Sequence, residues 1–182
     1  ILKNIPFFGQ KPLSYNLSDA QLIARKIKKK KLLTCFDLNF LKLKAIIKFK
    51  KIIQKKRLYN SKIIIKWIFE SRTLGKRNTW KNSSKAGGGI LYNFGFHLFS
   101  ILVDIFGILK ITKIYMNKNS YKLCFIDKNK NNYEVYLSNK KDNKNFFGIT
   151  VTDSKDDVIS LRNVSKNYHD NFTIRKNKKI LF

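Results

Sequence analysis

Gly87-Gly88-Gly89-Ile90-Leu91-Tyr92-Asn93-Phe94-Gly95-Phe96-His97-Leu98-Phe99-Ser100-Ile101-Leu102-Val103-Asp104-Ile105-Phe106-Gly107 is apolar almost throughout. Leu91, Phe94, Leu98, Ile101, Leu102 and Ile105 predict a buried helix. Three glycines open it, and Gly107 is placed to end it in a left-handed conformation. Against that background Asn93, His97, Ser100 and Asp104 are spaced 4, 3 and 4 apart, so they share one face. Polar groups on an apolar helix must find partners or a water-filled cleft. A core histidine bonded to Asn93 or Asp104 satisfies this pattern, and so does a histidine facing a site. Gly95 costs about 1 kcal/mol relative to Ala inside a helix, so close packing or ligand approach is expected to keep it there. The triple glycine leaves the first amides uncovered and lets a ligand reach the backbone.

Upstream, Ile5-Pro6-Phe7-Phe8 reads as a short strand stopped at Gly9, with its Pro at the beginning. Gln10-Lys11-Pro12-Leu13 is a loop in which Pro12 pushes Lys11 toward extended backbone. Ser18-Asp19-Ala20-Gln21 has the form of a capping box, and Leu22, Ile23 and Ile27 continue as a helical stripe. Lys28 to Lys31 end it where cations suit the helix dipole. Leu32 to Phe36 predicts a buried strand. Strand, loop, helix, strand is the tail of a parallel α/β sheet. A second helix is predicted over Leu41–Lys56 with a face of lysines, then a strand over Ile63–Phe69 and a polar loop carrying Trp80. Downstream of Gly107 come Ile111–Asn117, Tyr121–Ile126, Tyr133–Leu137, Phe146–Val151, Val158–Leu161 and Phe172–Arg175, separated by Asn/Lys/Asp turns. Strands in direct succession predict an open, mainly antiparallel sheet.

The whole chain has 182 residues, 43% of them hydrophobic, enough for a real core in one domain or one domain with a piece of another. Lys and Arg number 39 against 11 acidic residues, giving +28. That charge raises nucleic acid or an anionic membrane as partner. An AT-rich coding bias toward Lys, Asn, Ile and Phe produces the same skew, so charge decides little. The apolar run Leu98–Leu109 falls short of the roughly 20 residues that span a bilayer, and it contains Asp104. The start has no signal-peptide pattern, so no membrane partner and a reduced, cytoplasmic setting are expected. Cys35 and Cys124 make neither a disulfide framework nor a zinc site, and no metal is expected. Met116 is the only methionine, and the chain reads as part of something longer.

Gln10-Lys11-Pro12-Leu13 after a short strand resembles the Glu-Lys-Pro-Leu segment of the Gfo/Idh/MocA oxidoreductases, the glucose–fructose oxidoreductase and inositol dehydrogenase family. The run from Gly87 to Gly107 is similar to that family's G-G-G-x-L-x-D-x-G-x-H-x-x-D…G signature. Between them, Phe36-Asp37-Leu38-Asn39-Phe40 resembles the strand end that leads into the family's second domain, and Trp80-Lys81 the Trp-Lys/Arg before the triple glycine. Order and spacing match over roughly residues 5–117. The resemblance implies an α/β fold: residues 1–38 as the tail of a Rossmann-type NAD(P)-binding domain, and 39–182 as an α+β substrate and oligomerisation domain. It implies NAD or NADP as cofactor and hydride transfer to or from a sugar, cyclitol or nucleotide-sugar hydroxyl or carbonyl. It also implies a homo-oligomer, dimer or tetramer, formed through the open sheet.

By the same resemblance Lys11 is the active-site lysine beside the nicotinamide and the substrate hydroxyl, where its charge favours the developing alkoxide. His97 takes or returns the hydroxyl proton. Asn93 and Asn39 fall at substrate-binding positions, and Gln10, Lys11, Pro12 and Trp80 on the cofactor side. Asn93 stands where many members have Asp, Gln10 where Glu is usual and Ser100 where Asp is common. The family's G-x-G-x-x-G fingerprint has no counterpart among the eight glycines, so the chain alone is expected to be inactive as a dehydrogenase. Two other readings remain: a basic nucleic-acid- or polyanion-binding protein, and a degenerate, non-catalytic fragment of the family. Against the first, the lysines are scattered over every element and no helix-turn-helix, zinc or RNP-type motif occurs, so no specific nucleic acid is expected.

Overall fold

A computed structural model describes residues 5–9, 11–14, 16–69, 88–117, 119–139, 145–163 and 171–182. The chain begins with β1 (Phe7–Gly9), α1 (Leu17–Lys29) and β2 (Thr34–Phe36). β1 and β2 pair in parallel, Phe7 opposite Thr34 and Gly9 opposite Phe36, as the strand–helix–strand pattern predicts. The helix start differs from the expected capping box. Asn16, in extended conformation, is the cap, and its side-chain oxygen accepts from the Asp19 amide at 2.8 Å. Ser18 lies inside the first turn, its hydroxyl donating to Asn16 Oδ1 at 2.8 Å. Asn caps at least as well as Ser, and Asp19 accepts from Asn16 Nδ2 at 2.6 Å, so the earlier start wins. Lys26, Lys28 and Lys29 occupy the last turn. No residue of α1 is buried.

The amide of Asp37 donates to Gly9 O at 3.0 Å, tying the two strand ends together. A 3₁₀ turn, Asn39–Lys42, leads into α2 (Lys44–Gln54), which is shorter than the helix predicted over Leu41–Lys56. Leu43 is extended (ψ 127°) and interrupts the earlier turn. α2 buries Ala45, Ile46, Phe49 and Ile53 at helical spacing and turns Lys44, Lys48 and Lys51 outward.

The larger unit is an eight-stranded sheet of β3 (Lys62–Phe69), β4 (Lys110–Asn117), β5 (Ser120–Ile126), β6 (Asn132–Asn139), β7 (Phe146–Thr152), β8 (Val158–Asn163), β9 (Phe172–Lys176) and β10 (Lys179–Ile180). Their order across the sheet is β10-β9-β8-β7-β3-β6-β5-β4. Every pair is antiparallel except β3–β6. All six strands expected after Gly107 are present, and two-residue β10 is an addition. Ile63, Ile65, Trp67 and Phe69 alternate into the core with Val135, Leu137, Phe147, Ile149 and Leu161. Ile46, Phe49 and Ile53 of α2 pack on them, with Leu98, Ile101, Leu102 and Ile105 of the helix that follows the glycines. The helices thus cover one face of an open sheet, and that cover places the functional residues at its rim.

Candidate functional site

The helix after the glycines has two parts. Leu91–Gly95 form a π-helical turn, and α3 (Phe96–Phe106) continues from it. Gly87 and the predicted loop carrying Trp80 lie outside the described residues, as does Gln10. Gly89 has φ 84° and Gly107 φ 82°, both left-handed values that favour glycine, at the entry and at the predicted stop. Gly95 sits in the wide turn for a packing reason: a Cβ there would lie 3.1 Å from Leu91 Cδ1 and 3.4 Å from both Leu137 Cδ2 and Phe99 Cε2. Single π turns inside α-helices occur frequently at functional sites.

The four polar residues on this face separate into different bonds. Asn93 Nδ2 donates to Gly89 O at 3.0 Å, and Ser100 Oγ to Phe96 O at 2.8 Å, both local. Asp104 receives Lys50 Nζ of α2 at 2.6 Å. His97 Nδ1 is buried and has no hydrogen-bond partner among the described residues. A core histidine held by Asn93 or Asp104 is therefore not what the fold contains.

Lys11 reaches this helix from the end of β1. Its Nζ donates to the Asn93 carbonyl at 2.5 Å, one turn before His97. Residues 86 positions apart in sequence thus meet at one place. The Phe40 ring, on the 3₁₀ turn, lies 5.0 Å from the His97 ring and 5.3 Å from that of Trp67. Burial of the imidazole, reinforced by the Lys11 ammonium and partly opposed by Asp37, holds the His97 pKa down at about 4. At neutral pH the ring is uncharged, which suits it to accept a proton.

Pro12 follows Lys11 through a cis peptide bond and is half-buried. Asn39 is exposed at the start of the 3₁₀ turn and lines a cavity of about 810 Å³ with Phe36, Asp37, Lys42, Lys50 and Asp104. Lys11, Asn93 and His97 are thus brought together, whereas Asn39 borders a cavity whose lining includes none of the three. Asp37 and Phe40 were not among the candidates. The sequence signal for them is their place in Phe36-Asp37-Leu38-Asn39-Phe40, just past a parallel strand, where side chains face the sheet's carboxyl edge. Among the described residues no group of three or more His, Cys, Asp or Glu side chains is placed to hold a metal ion. No helix among them is long and apolar enough to cross a membrane. The arrangement puts a neutral imidazole beside an ammonium, a pair able to take a proton from a hydroxyl and to stabilise the oxygen left behind.

No protein-family model matches the chain, and no curated protein matches it. Solved structures do. A levoglucosan dehydrogenase in complex with NADH and L-sorbose superposes with a TM-score of 0.79 at 12% identity, covering 97% of this chain and 54% of that one. The WlbA dehydrogenase from Bordetella pertussis, in complex with NADH and UDP-GlcNAcA, gives 0.74 at 13% identity over 92% and 55%. The MviM dehydrogenase from Clostridium difficile gives 0.68 at 13% identity over 96% and 53%. The chain spans about half the length of the solved structures it matches. It has the α/β fold, with a mainly antiparallel open sheet, of the C-terminal part of Rossmann-type oxidoreductases.

Proposed function

We propose that the chain is the catalytic and substrate-binding portion of a Gfo/Idh/MocA-type NAD(P)-dependent oxidoreductase acting on a sugar, cyclitol or nucleotide-sugar hydroxyl. The observation that carries this reading is the meeting of Lys11 and His97 at the π turn, with the histidine uncharged. Residues 1–38 are assigned to the end of the cofactor domain and 39–182 to the substrate domain. The residues present fit the reactive end of a nicotinamide cofactor, since an ammonium and a buried imidazole nitrogen without a partner lie together. The eight glycines offer no G-x-G-x-x-G turn for a pyrophosphate.

The nicotinamide, when bound, accepts or returns the hydride. Neutral His97 accepts the proton of the substrate hydroxyl as the carbon it is attached to loses hydride, so the alcohol becomes a carbonyl and the histidine an imidazolium. Lys11 stabilises the charge that develops on the oxygen. Asn93 holds Lys11 through its carbonyl; Asn39, on the cavity wall, is offered as a substrate contact, with Gln10, Pro12 and Trp80 on the cofactor side. The sheet face turned away from the helices, with half-buried Ile64, Ile68 and Tyr136 and no helix on it among the described residues, supports a homo-oligomer (dimer or tetramer), and free Cys35 and Cys124 suit a cytoplasmic setting.

The test is a panel of sugars, cyclitols and nucleotide sugars with NAD⁺ and NADP⁺. The chain is assayed alone and joined to a dinucleotide-binding half, following the absorbance of reduced nicotinamide. Turnover of one substrate class by the joined protein is expected, with weak or no dinucleotide binding by the chain alone. Tight binding by the chain alone, or no turnover on the whole panel, overturns the reading.

A further inference from the structure

We propose that β4 is a self-association edge: the same strand of a second copy of this chain adds antiparallel to it about a two-fold axis at Tyr115, continuing the sheet from one molecule into the next. β4 stands at one end of the strand order, with β5 on one side and no strand on the other among the described residues. All eight of its residues are exposed. Such an edge offers a row of backbone donors and acceptors to any matching strand, and proteins commonly blunt it with lysines, bulges or a covering element. Here those devices sit at one end. Lys110 and Lys113 flank the bulge between Ile111 and Lys113, where the register on β5 shifts. From Lys113 to Asn117 the pairing with β5 is regular, and Ile114, Tyr115 and Met116 are 51%, 53% and 69% exposed.

The fold of one chain gives these apolar side chains nothing to pack on. Ile114 and Met116 lie opposite Leu123 and Tyr121 of β5, so they share the face on which the helices pack. Leu123 is buried there while Ile114 and Met116 are not, so the cover stops at β5. The order of residues in the strand names the occupant. Opposed residues of an antiparallel pair lie on one face. An axis at Tyr115 therefore sets Tyr115 against the partner's Tyr115, Ile114 against the partner's Met116 and Lys113 against the partner's Asn117. Both apolar residues of the helix face then meet apolar residues, no like charges meet, and the bulge stays outside the paired stretch. An axis at Lys113 would oppose lysine to lysine and draw the bulge in. The paired stretch, 113–117, is short beside the roughly 20–30 residues a side of a standard interface, so the association is expected to depend on concentration.

This contact uses neither the reactive centre nor the open sheet face, so its test is independent of both. Sedimentation equilibrium of the 182-residue chain over a wide concentration range is expected to show monomer and dimer. Ile114→Lys and Met116→Glu are each expected to weaken dimerisation about tenfold, since both symmetry-related apolar pairs are lost at once. An equimolar mixture of the two variants is expected to recover it, because the new cation of one copy faces the new carboxylate of the other. A second measurement uses Tyr115→Cys with Cys35→Ser and Cys124→Ser removing the native thiols. A residue on the axis meets its own copy, so oxidation is expected to link two chains there, and to link few at Lys110→Cys. Should a charged variant fail to fold, the cross-link decides alone. Monomer at every concentration, or a dimer indifferent to both single variants, overturns the proposal. Weakening by both variants with no recovery in the mixture and no cross-link at Tyr115→Cys overturns it as well.

Discussion

His97 is held half-buried in its uncharged form beside a cation, and this has a cost that pH exposes. The folded pKa of about 4 lies below the unfolded value of about 6.5, so between the two the unfolded chain binds a proton that the folded chain refuses. Stability is therefore complete above about pH 6.5 and falls as the pH drops toward 4. At 1.36 kcal/mol per pH unit the loss is at most on the order of 3 kcal/mol, and solvent screening of the half-exposed ring reduces it. His97→Gln is expected to flatten urea-unfolding stability over that window, and parallel curves for the two proteins would contradict the burial. Asn93→Asp puts a carboxylate one turn from His97, raising its pKa, and is expected to move the acidic limb of a pH–rate profile upward with the fold intact. His97 stands out locally, as a polar residue on an apolar helix, whereas Lys11 was legible only through the resemblance of Gln10-Lys11-Pro12-Leu13 to a family segment. Asp37 and Phe40 were not, since they reach His97 only through the pairing of β1 with β2 and the packing of the 3₁₀ turn.

The π turn is the element on which the site depends, and Gly95 is its packing point. Ala there gains about 1 kcal/mol of helix propensity but must displace Leu91, whose Cδ1 would lie 3.1 Å from the new carbon. These effects nearly cancel, because the tip of a leucine side chain can yield. Gly95→Leu also meets Leu137 and Phe99, and overpacking of this kind costs about 1–3 kcal/mol. Thermal unfolding of the two variants is expected to separate them; equal stability would mean that the turn is not closely packed. Gly95 was readable as a site of close approach, whereas its neighbour Leu137 of β6 was not, because it meets the turn only through the packing of the sheet against it. At α1 the capping-box pattern pointed to Ser18, but Asn16 caps the helix, accepting from the Asp19 amide and donating to the Asp19 carboxylate.

Over the whole molecule the two units stand in contrast. The eight-stranded sheet has a continuous core, while the β1-α1-β2 unit leaves Phe8, Leu17, Leu22 and Leu33 exposed. The antiparallel succession was legible from short strand-like runs arriving one after another between Asn/Lys/Asp turns. The parallel β3–β6 pair was not, because it joins strands separated by α3, β4 and β5. The positive charge is spread similarly: Lys50 pairs with Asp104, Lys56 with Asp153, Lys122 with Glu134, and Lys48 lies over the Phe182 ring. Retention on DNA is accordingly expected at low salt and lost between about 50 and 200 mM, whereas salt-resistant, sequence-dependent binding would favour a nucleic-acid function. The central claim is that Lys11 and His97 form the reactive centre of a hydride-transfer enzyme. Its most direct test is His97→Ala in the chain joined to a dinucleotide-binding half, assayed on the substrate that the joined protein oxidises. A loss of about 10²–10⁴-fold in kcat with unchanged folding is expected; a variant that keeps nearly full activity would contradict the account and leave His97 a structural residue.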